Sequence, residues 1–402
     1  MPNSLDSSSL YLMHLLSCAL RGTAPAAKPQ DVAWDAVFQL AERNSVITTC
    51  AFAVALAPDA SATERSRWQE KVDANLMRHA IFDMEREAIF AAMDAAELAY
   101  VPLKGILISR TYPRPEMRWM CDNDFLFGRL QPNGTVTAAT DDDARKLRSI
   151  MKDLGYKTIS FGGGNHDSYQ KPPFLNLEPH RLLANPEVAW WKYYVDPWAR
   201  AHHTPGNTSC SYEFPREDSY VFHIAHMFKH FSTSGHGIRG IADEWVLENV
   251  WGPTMDRAYL NAQLDALGMR DFETQLSRVA TSVIGDDACG QMLAGNAGAL
   301  DTTIKQMIAY MLGSGTYGTI GNNVRNRLAK EANEHGQKGL RTRYLLHRAF
   351  PPLESLKQGY PVLKRAPYLL PCVYAYRFAV KPFTSAAKLR TELSIVAKEN
   401  KE

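Results

Sequence analysis

The sequence predicts an α+β fold, in which a small mixed β-sheet is embedded between helical regions at the N- and C-terminal ends. Apolar residues recur at helical spacing in residues 1–98, and short apolar or alternating runs typical of strands follow in residues 99–200. Helical spacing returns from Ser219 to Tyr310. The chain has 402 residues, 45% hydrophobic and 22% charged, which excludes collagen-like, low-complexity and wholly disordered proteins.

The N-terminal region is predicted to consist of helices. The apolar residues that share a helical face are Trp34, Val37, Phe38 and Ala41, and further along Ile81, Met84, Ala88 and Ile89. The apolar run Leu10–Leu20 is predicted to be a buried helix capped by Ser7–Ser9. It is too short to span a bilayer, and Asp6 stands where a signal peptide needs a basic residue. We therefore predict no transmembrane segment.

The middle of the chain is predicted to form the sheet. The expected strands are Tyr100–Leu103, Asp122–Phe127, Tyr156–Phe161, His166–Gln170 and Phe174–Glu178. A helix from Asp141 to Leu154 should begin after Thr140 as N-cap and end at Gly155. The predicted domains are a helical region (1–98), an α/β core (99–200), a helical domain (201–324) and a C-terminal segment rich in basic, proline and aromatic residues (325–402).

Charge is distributed unevenly along the chain. Residues 325–402 contain 16 Lys and Arg against 6 Asp and Glu, a net charge of +10. Because the whole chain carries +2, residues 1–324 carry −8. The C-terminal segment is therefore a candidate for contact with nucleic acid or an anionic surface, and the alternative is an electrostatic contact with the acidic remainder of the same molecule.

The six cysteines stand far apart and form no CxxC pair. This spacing excludes a disulfide framework and a zinc knuckle, and it is typical of a reducing compartment. We therefore expect a cytoplasmic protein.

Two features between residues 101 and 127 carry chemistry. A predicted strand ends at Lys104-Gly105 and a helix follows at once, so glycine and the free N–H groups of the helix allow a phosphate to approach the backbone. Asp122 and Asp124 stand two apart in the next strand, so both carboxylates point to one face. Two carboxylates held side by side repel unless a cation lies between them, and Mg²⁺ on nucleotide phosphates is the usual cation.

This arrangement resembles the uncharacterised nucleotidyltransferase family of the DNA polymerase beta-like nucleotidyltransferase superfamily. The specific motifs are Leu103-Lys104-Gly105, Tyr112-Pro113, Arg118 and Asp122-Asn123-Asp124-Phe125-Leu126. Weaker matches are Leu154-Gly155-Tyr156, Leu177-Glu178-Pro179-His180 and the set of His226, His230 and Asp243. The resemblance implies a polymerase beta-like core within residues 99–200.

The resemblance also implies three catalytic carboxylates. Asp122 and Asp124 would hold metal ions, Mg²⁺ or Mn²⁺, and Glu178 would be a further metal ligand or the base that deprotonates the acceptor.

Lys104, Gly105 and Arg118 would bind the phosphates of an NTP, with ATP expected. A surface ion pair is the alternative for Arg118.

The sequence departs from the superfamily pattern at three points. Lys104-Gly105 stands where the superfamily usually has Gly-Ser, although the family shares the lysine. Asn123 replaces the usual aliphatic residue between the aspartates and, if buried, needs hydrogen-bond partners. Pro179 cannot donate to a strand ladder, so it predicts a sheet edge or a strand end.

A row of histidines, His223, His226 and His230, lies on one predicted helix face. A zinc site, the lining of a substrate pocket and simple packing are the three interpretations; no glutamate stands between His226 and His230 to act as a base. Asp243 could orient one of these imidazoles. The residues that we place on the acceptor side are His166, His180, His226, His230, Arg239 and Asp243.

These observations predict a metal-dependent nucleotidyltransferase that moves a nucleoside monophosphate from an NTP to a hydroxyl or phosphate acceptor on a small molecule, protein or RNA. Two alternatives remain: a catalytically inactive nucleotide-binding protein of the same fold, and a helical scaffold whose basic residues 325–402 bind nucleic acid or an anionic membrane.

Overall fold

The computed structural model describes residues 5–185, 188, 190–204, 209–360, 362–384 and 386–398. Its architecture is α+β, which confirms the predicted fold class: a mixed sheet lies between helices from both ends of the chain. Residues 399–402, the end of the predicted basic segment, lie outside the described residues. The division into four domains stays a prediction.

Four helices form the N-terminal region. They are α1 (Ser7–Arg21), α2 (Trp34–Arg43), α3 (Ile47–Val54) and α4 (Ala62–Ala95). The helix α1 is buried along most of its length, as expected, but its cap differs from the expected serines. The carboxylate of Asp6 accepts from the backbone N–H of Ser9, and a negative group is favoured at a helix N-terminus.

The buried face of α4 differs from the predicted apolar face. Met84 is 70% exposed and Ala88 is also exposed, whereas Phe82 and Arg86 are buried. Arg86 is tolerated there because its guanidinium forms an ion pair with Asp83 of the same helix and hydrogen bonds to the side chain of Asn123. Because a buried polar residue interrupts the apolar pattern on the inner face of the helix, the spacing of apolar residues does not identify that face.

The central sheet has six strands. They are β1 (Leu98–Pro102), β2 (Asn123–Leu130), β3 (Val136–Ala138), β4 (Lys157–Ser160), β5 (Ser168–Lys171) and β6 (Leu175–His180). The strand order is β1-β2-β6-β5-β4, with β3 paired to the far end of β2. The pair β2–β6 is parallel and the other pairs are antiparallel, so the sheet is mixed. The sequence did not predict β3, which has three residues.

Two helices connect these strands. They are α5 (Gly105–Ser109), directly after β1, and α6 (Asp141–Asp153), between β3 and β4. A capping box begins α6: the Thr140 hydroxyl accepts from the N–H of Asp143, whose carboxylate accepts from the N–H of Thr140. The expected N-cap is therefore confirmed.

The C-terminal half adds a two-stranded ribbon and a series of helices. The ribbon is β7 (His202–His203) with β8 (Tyr212–Glu213). The helices before residue 320 are α7 (Arg216–Phe231), α8 (Arg239–Val250), α9 (Arg257–Leu267), α10 (Arg270–Ala280), α11 (Ala288–Leu293) and α12 (Thr302–Ser314). The helix α13 (Ile320–His335) leads into the basic segment, and the helices within that segment are α14 (Leu340–Ala349), α15 (Leu353–Gly359), α16 (Val362–Arg365), α17 (Leu370–Thr384) and α18 (Ala386–Lys398).

The two faces of the sheet pack against different helices. Alternate residues of β1 point to opposite faces, so Ala99 and Val101 join a core with α1, α7 and α8, while Leu98 and Tyr100 join one with α4 and α6. The end of the β2–β6 pair is thereby brought close to the helices α7 and α8. Within the described residues, no helix combines the length and the hydrophobicity needed to cross a bilayer.

Candidate active site

Two carboxylates are aligned by the parallel pairing of β2 and β6. Asp124 on β2 lies in register with Glu178 on β6, and Asp122 immediately precedes β2. Carboxylate oxygens of all three residues lie within 4.8 Å of one another. The backbone ladder therefore holds together the three acids that the sequence analysis singled out.

The proximity of these acids changes their ionisation. Burial, and then the charge of Asp124, raise the pKa of Asp122 to about 6. Burial, and then Asp124 and Asp122, raise the pKa of Glu178 to about 7. Without a cation, three negative charges are therefore not stable at this point of the fold.

Asp124 is the acid that keeps its charge. Burial opposes that charge, but Lys104 and His180 outweigh burial and hold the pKa of Asp124 well below its usual value. The Lys104 ammonium lies 3.2 Å from Oδ2, and Nε2 of His180 lies 3.2 Å from Oδ1. Both contacts are charge-assisted in a site from which solvent is nearly excluded.

Lys104 reaches Asp124 from an unusual turn. Its backbone has φ 45° and ψ −110°, a combination that costs a side-chain-bearing residue roughly 1–3 kcal/mol. The next residue, Gly105, begins α5, and a Cβ there would stand 3.2 Å from Nη1 of Arg118. The glycine thus permits close approach, although an arginine occupies part of the space that we assigned to phosphate.

Arg118 has a partner that the sequence did not predict. Its Nε and Nη2 donate to the two carboxylate oxygens of Asp243 at 2.7 and 2.9 Å, and the Tyr112 hydroxyl donates to the same carboxylate at 2.7 Å. The pair is buried, so a surface ion pair is the wrong description. Two of its three nitrogens are bound to Asp243, and Nη1 lies beside Gly105 in the cavity, so the phosphate role of Arg118 stays a prediction that rests on Nη1.

Asp243 likewise differs from its predicted use. It binds Arg118 and Tyr112, and therefore it does not serve as the partner that orients an imidazole. Burial raises its pKa, but the Arg118 guanidinium outweighs burial and keeps Asp243 ionised. The pair joins the segment before β2 to helix α8 across the base of the site.

Asn123 and Pro179, the two irregular residues of the motif, are accommodated by the fold. Asn123 is 1% exposed and hydrogen bonds to the carbonyl of Phe82 and the guanidinium of Arg86. Pro179 is the penultimate residue of β6, a central strand, so the expectation of a strand end is met and that of a sheet edge is not. Its carbonyl accepts from the N–H of Asp167.

A cavity of about 590 Å³ opens beside the three acids. The predicted site residues that line it are Lys104, Gly105, Arg118, Asp122, Asp124, His166, Glu178, His180, His226, His230, Arg239 and Asp243. The fold thus places all the singled-out residues around one space, which lies within the usual size range of small-molecule sites.

The cavity is also lined by residues that were not among the predicted site residues. They are Cys121, Asn176, His223, Met227, Lys229, His236, Thr316 and Tyr317. Lys229 follows the histidine spacing of α7 and could have been found from it. Burial, and then Lys104, lower the pKa of Lys229. Tyr317 is 81% exposed at the rim, and only tertiary structure brings it here.

A family model described as "Uncharacterised nucleotidyltransferase" matches residues 30–285, which include both strands of the acidic site. The chain belongs to this nucleotidyltransferase family. Comparisons with curated proteins and with solved structures find no match. Family membership supports nucleotidyl transfer as the general activity and an NTP as a substrate.

The site of this nucleotidyltransferase fits a divalent cation of the hard type. Its donors are three carboxylates, the ligands that Mg²⁺ and Mn²⁺ prefer, and a bound cation relieves their repulsion without the uptake of protons. The Lys104 ammonium supplies part of that charge from one side. The donor set therefore agrees with the cation that the resemblance implies.

The histidine row of the nucleotidyltransferase lies on α7 and faces the cavity. Burial lowers the pKa of His223 to about 4 and that of His230 to about 3, so these imidazoles are neutral at pH 7. Nε2 of His226 lies 3.2 Å from Nε2 of His230, so one ring donates to the other. Among the described residues, none of the three belongs to a group of metal-ligand side chains, which favours pocket lining over a zinc site.

Proposed function

We propose that the protein is a metal-dependent nucleotidyltransferase that transfers a nucleoside monophosphate from an NTP, with ATP as the expected substrate, to a hydroxyl or phosphate acceptor. The carrying observation is the register of Asp124 with Glu178, which holds three carboxylates together beside a cavity of about 590 Å³. Family membership supports the same reaction class.

The carboxylates are proposed to hold a divalent cation that acts on the phosphates of the NTP. Asp122, Asp124 and Glu178 are the proposed ligands of Mg²⁺ or Mn²⁺. When bound, such a cation polarises phosphoryl oxygens and stabilises the charge of the leaving pyrophosphate. In the alternative arrangement Glu178 is not a metal ligand but the base that takes the proton of an acceptor hydroxyl, since burial and its acidic neighbours raise its pKa to about 7 when no cation is bound.

The cationic side chains of the cavity are the proposed triphosphate ligands. Lys104 and Lys229 line it from opposite elements, the turn after β1 and the helix α7. Arg239 begins α8, and its Nε is buried with no hydrogen-bond partner among the described residues. An unsatisfied buried guanidinium nitrogen is costly until an anion binds it.

The neutral histidines are proposed to face the acceptor. Neutral imidazoles both donate and accept hydrogen bonds, which suits hydroxyl groups better than further phosphates. His226 and His230 are the members of the row that share such a bond and line the cavity. The acceptor can belong to a small molecule, a protein or an RNA, and any of these fits the proposal.

Pyrophosphate release tests this function. Full-length protein is incubated with Mg²⁺, one of the four NTPs at a time and a cell extract. The macromolecules and metabolites of the extract serve as candidate acceptors. We expect Mg²⁺-dependent release with at least one NTP, and its loss in Asp124→Asn. Asp142→Asn, which changes a surface carboxylate paired with Arg145, is the matched control and should retain the activity.

If the protein binds nucleotide but releases pyrophosphate from none of the four NTPs, nucleotidyl transfer is contradicted. That result would support the inactive nucleotide-binding protein instead, since the cationic residues would then bind nucleotide while the three carboxylates catalyse no transfer.

A further inference from the structure

A second group of metal-ligand side chains adjoins the acidic site. His166, Glu178 and His180 place ligand atoms within 4.8 Å of one another, and Glu178 belongs to both groups. The donors of this second group are two imidazoles and one carboxylate. The proposed nucleotidyl transfer uses the three carboxylates and leaves this arrangement unexplained.

The backbone fixes the two histidines opposite each other. His166 and His180 form an antiparallel β-bridge, and the N–H of Arg181 donates to the carbonyl of Asn165 at 2.9 Å. Their ring centroids are 5.0 Å apart. The ring of His166 thus projects from a segment that is hydrogen bonded to β6.

His166 has no ordinary hydrogen bond to explain its position. Its Nδ1 is buried without a partner among the described residues, and its Nε2 stands 3.6 Å from Oε2 of Glu178, longer than a hydrogen bond. Nε2 therefore has no hydrogen bond to Glu178 although it faces that carboxylate. An ion bound between Nε2 and Glu178 would give Nε2 a partner, whereas the buried Nδ1 would keep none within the described residues.

The separations match those of ligands that share one ion. Two donors at about 2.1 Å from a tetrahedral ion lie roughly 3.4 Å apart. His166 Nε2 and Glu178 Oε2 are 3.6 Å apart, and a ring nitrogen of His180 lies within 4.8 Å of the ligand atoms of both residues. To bind the ion through Nε2, His180 exchanges its hydrogen bond to Asp124 for the metal.

We propose that His166, Glu178 and His180 form a second cation site, specific for a divalent first-row transition metal such as Zn²⁺. Imidazole nitrogen is a preferred ligand of these ions, whereas Mg²⁺ selects oxygen. The site adjoins the carboxylate site and shares Glu178 with it. It does not require that the protein transfer nucleotides.

A neighbouring amide can support His180 as a ligand. Asn165 lies 3.3 Å from Nδ1 of His180 through its side-chain amide. With Nε2 on the metal, the imidazole proton moves to Nδ1, and Asn165 accepts it once its amide is turned end for end. Such a partner for the other ring nitrogen is usual for metal-bound histidine.

Co²⁺ titration tests the site without nucleotide. Chelator-treated full-length protein is saturated with Mg²⁺, Co²⁺ is added, and the visible absorption of nitrogen-bound Co²⁺ is recorded. We expect one Co²⁺ per chain and, in His166→Gln, an affinity lower by at least about tenfold. His230→Gln, a histidine of the same cavity outside the group, is the matched control and should bind as wild type does.

Two further variants separate this site from the acidic one. Asp122→Asn should keep the Co²⁺ absorption, and His180→Gln should lose it while its melting curve shows that it is folded. Wild-type absorption in His166→Gln, or its loss in Asp122→Asn alone, would overturn the proposal. Because no NTP is present, the result does not depend on transferase activity.

Discussion

Asp124 and Glu178 are paired residues of two parallel strands, β2 and β6. The backbone ladder fixes the separation of their Cα atoms, so the two side chains start from neighbouring points on the sheet despite their repulsion. Asp122 adds a third carboxylate one residue before β2. The fold thus keeps acidic groups together although this lowers its stability, which is typical of functional sites.

Removal of one acid should stabilise the protein when no cation is bound. Glu178→Gln retains an oxygen that can accept from Asn176 at the present 3.2 Å contact and removes repulsion with Asp124. We expect the free energy of unfolding in a chelator to rise by on the order of 1 kcal/mol. Thermal melts with and without Mg²⁺ measure it. A destabilised variant with an unchanged Mg²⁺ shift would contradict the shared cation site.

The two cavity lysines should govern nucleotide affinity. Lys104→Met and Lys229→Met each remove a charge-assisted contact to phosphate, worth about 1.5–3 kcal/mol, so the Kd for NTP should rise roughly 10–100-fold. Lys171→Met, which removes a lysine paired with Glu85 away from the cavity, is the control. Calorimetric titration with a non-hydrolysable NTP gives the values. Equal affinity in all three variants would exclude the proposed triphosphate ligands.

The buried pair of Arg118 and Asp243 should behave as a structural unit. Asp243→Asn leaves the guanidinium without its counter-charge and should cost about 3–5 kcal/mol of unfolding free energy. The double variant Arg118→Met with Asp243→Leu should cost less than that single change, because neither charge then remains buried alone. Urea denaturation provides the comparison. Additive losses would show that the two residues act independently.

Stability should fall with rising pH because of Glu244, a buried residue of α8. Burial raises the pKa of this carboxyl well above 4.5, although the Tyr220 hydroxyl donates to it at 2.6 Å. The folded protein therefore keeps a proton that the unfolded chain releases, and stability is lost as pH rises above about 4.5. The other ionisable groups that face Glu244 are Tyr220, Glu248, Glu273 and Arg257.

Glu244→Gln keeps the shape and removes this titration. Relative to wild type, the unfolding free energy of the variant should rise with pH above about 4.5, by at most about 1.4 kcal/mol per pH unit while Glu244 stays protonated in the folded protein. Chemical denaturation at several pH values measures the difference. A difference that stays constant over this range would show that Glu244 does not change its protonation on unfolding.

Much of the site could be predicted because its chemistry is local in sequence. Asp122 and Asp124 stand two residues apart, and Lys104-Gly105 lies at a strand end, so a short segment contains both halves of the motif. The fold class followed from the change of hydrophobic period near residue 98. Glu178 required the resemblance, because nothing in one sequence shows that β6 lies beside β2.

Local sequence does not show pairing between distant residues. The resemblance assigned Arg118 to phosphate and could not show its partner Asp243, which lies 125 positions away in the chain. The face of α4 was misplaced because Arg86 is buried, where an ion pair with Asp83 of the same helix and a hydrogen bond to Asn123 of β2 satisfy its guanidinium. Tertiary contacts of this kind override apolar spacing and residue type, and they are not written in local sequence.

Label transfer from the NTP tests the central claim most directly. The protein is incubated with Mg²⁺, ATP labelled either at the α-phosphate or at the γ-phosphate, and a cell extract that has been heat-treated to inactivate its own kinases and nucleotidyltransferases. We predict that the α-label becomes attached to an acceptor, that the γ-label is released as pyrophosphate, and that Glu178→Gln does neither. Attachment of the γ-label instead would contradict nucleotidyl transfer at this site.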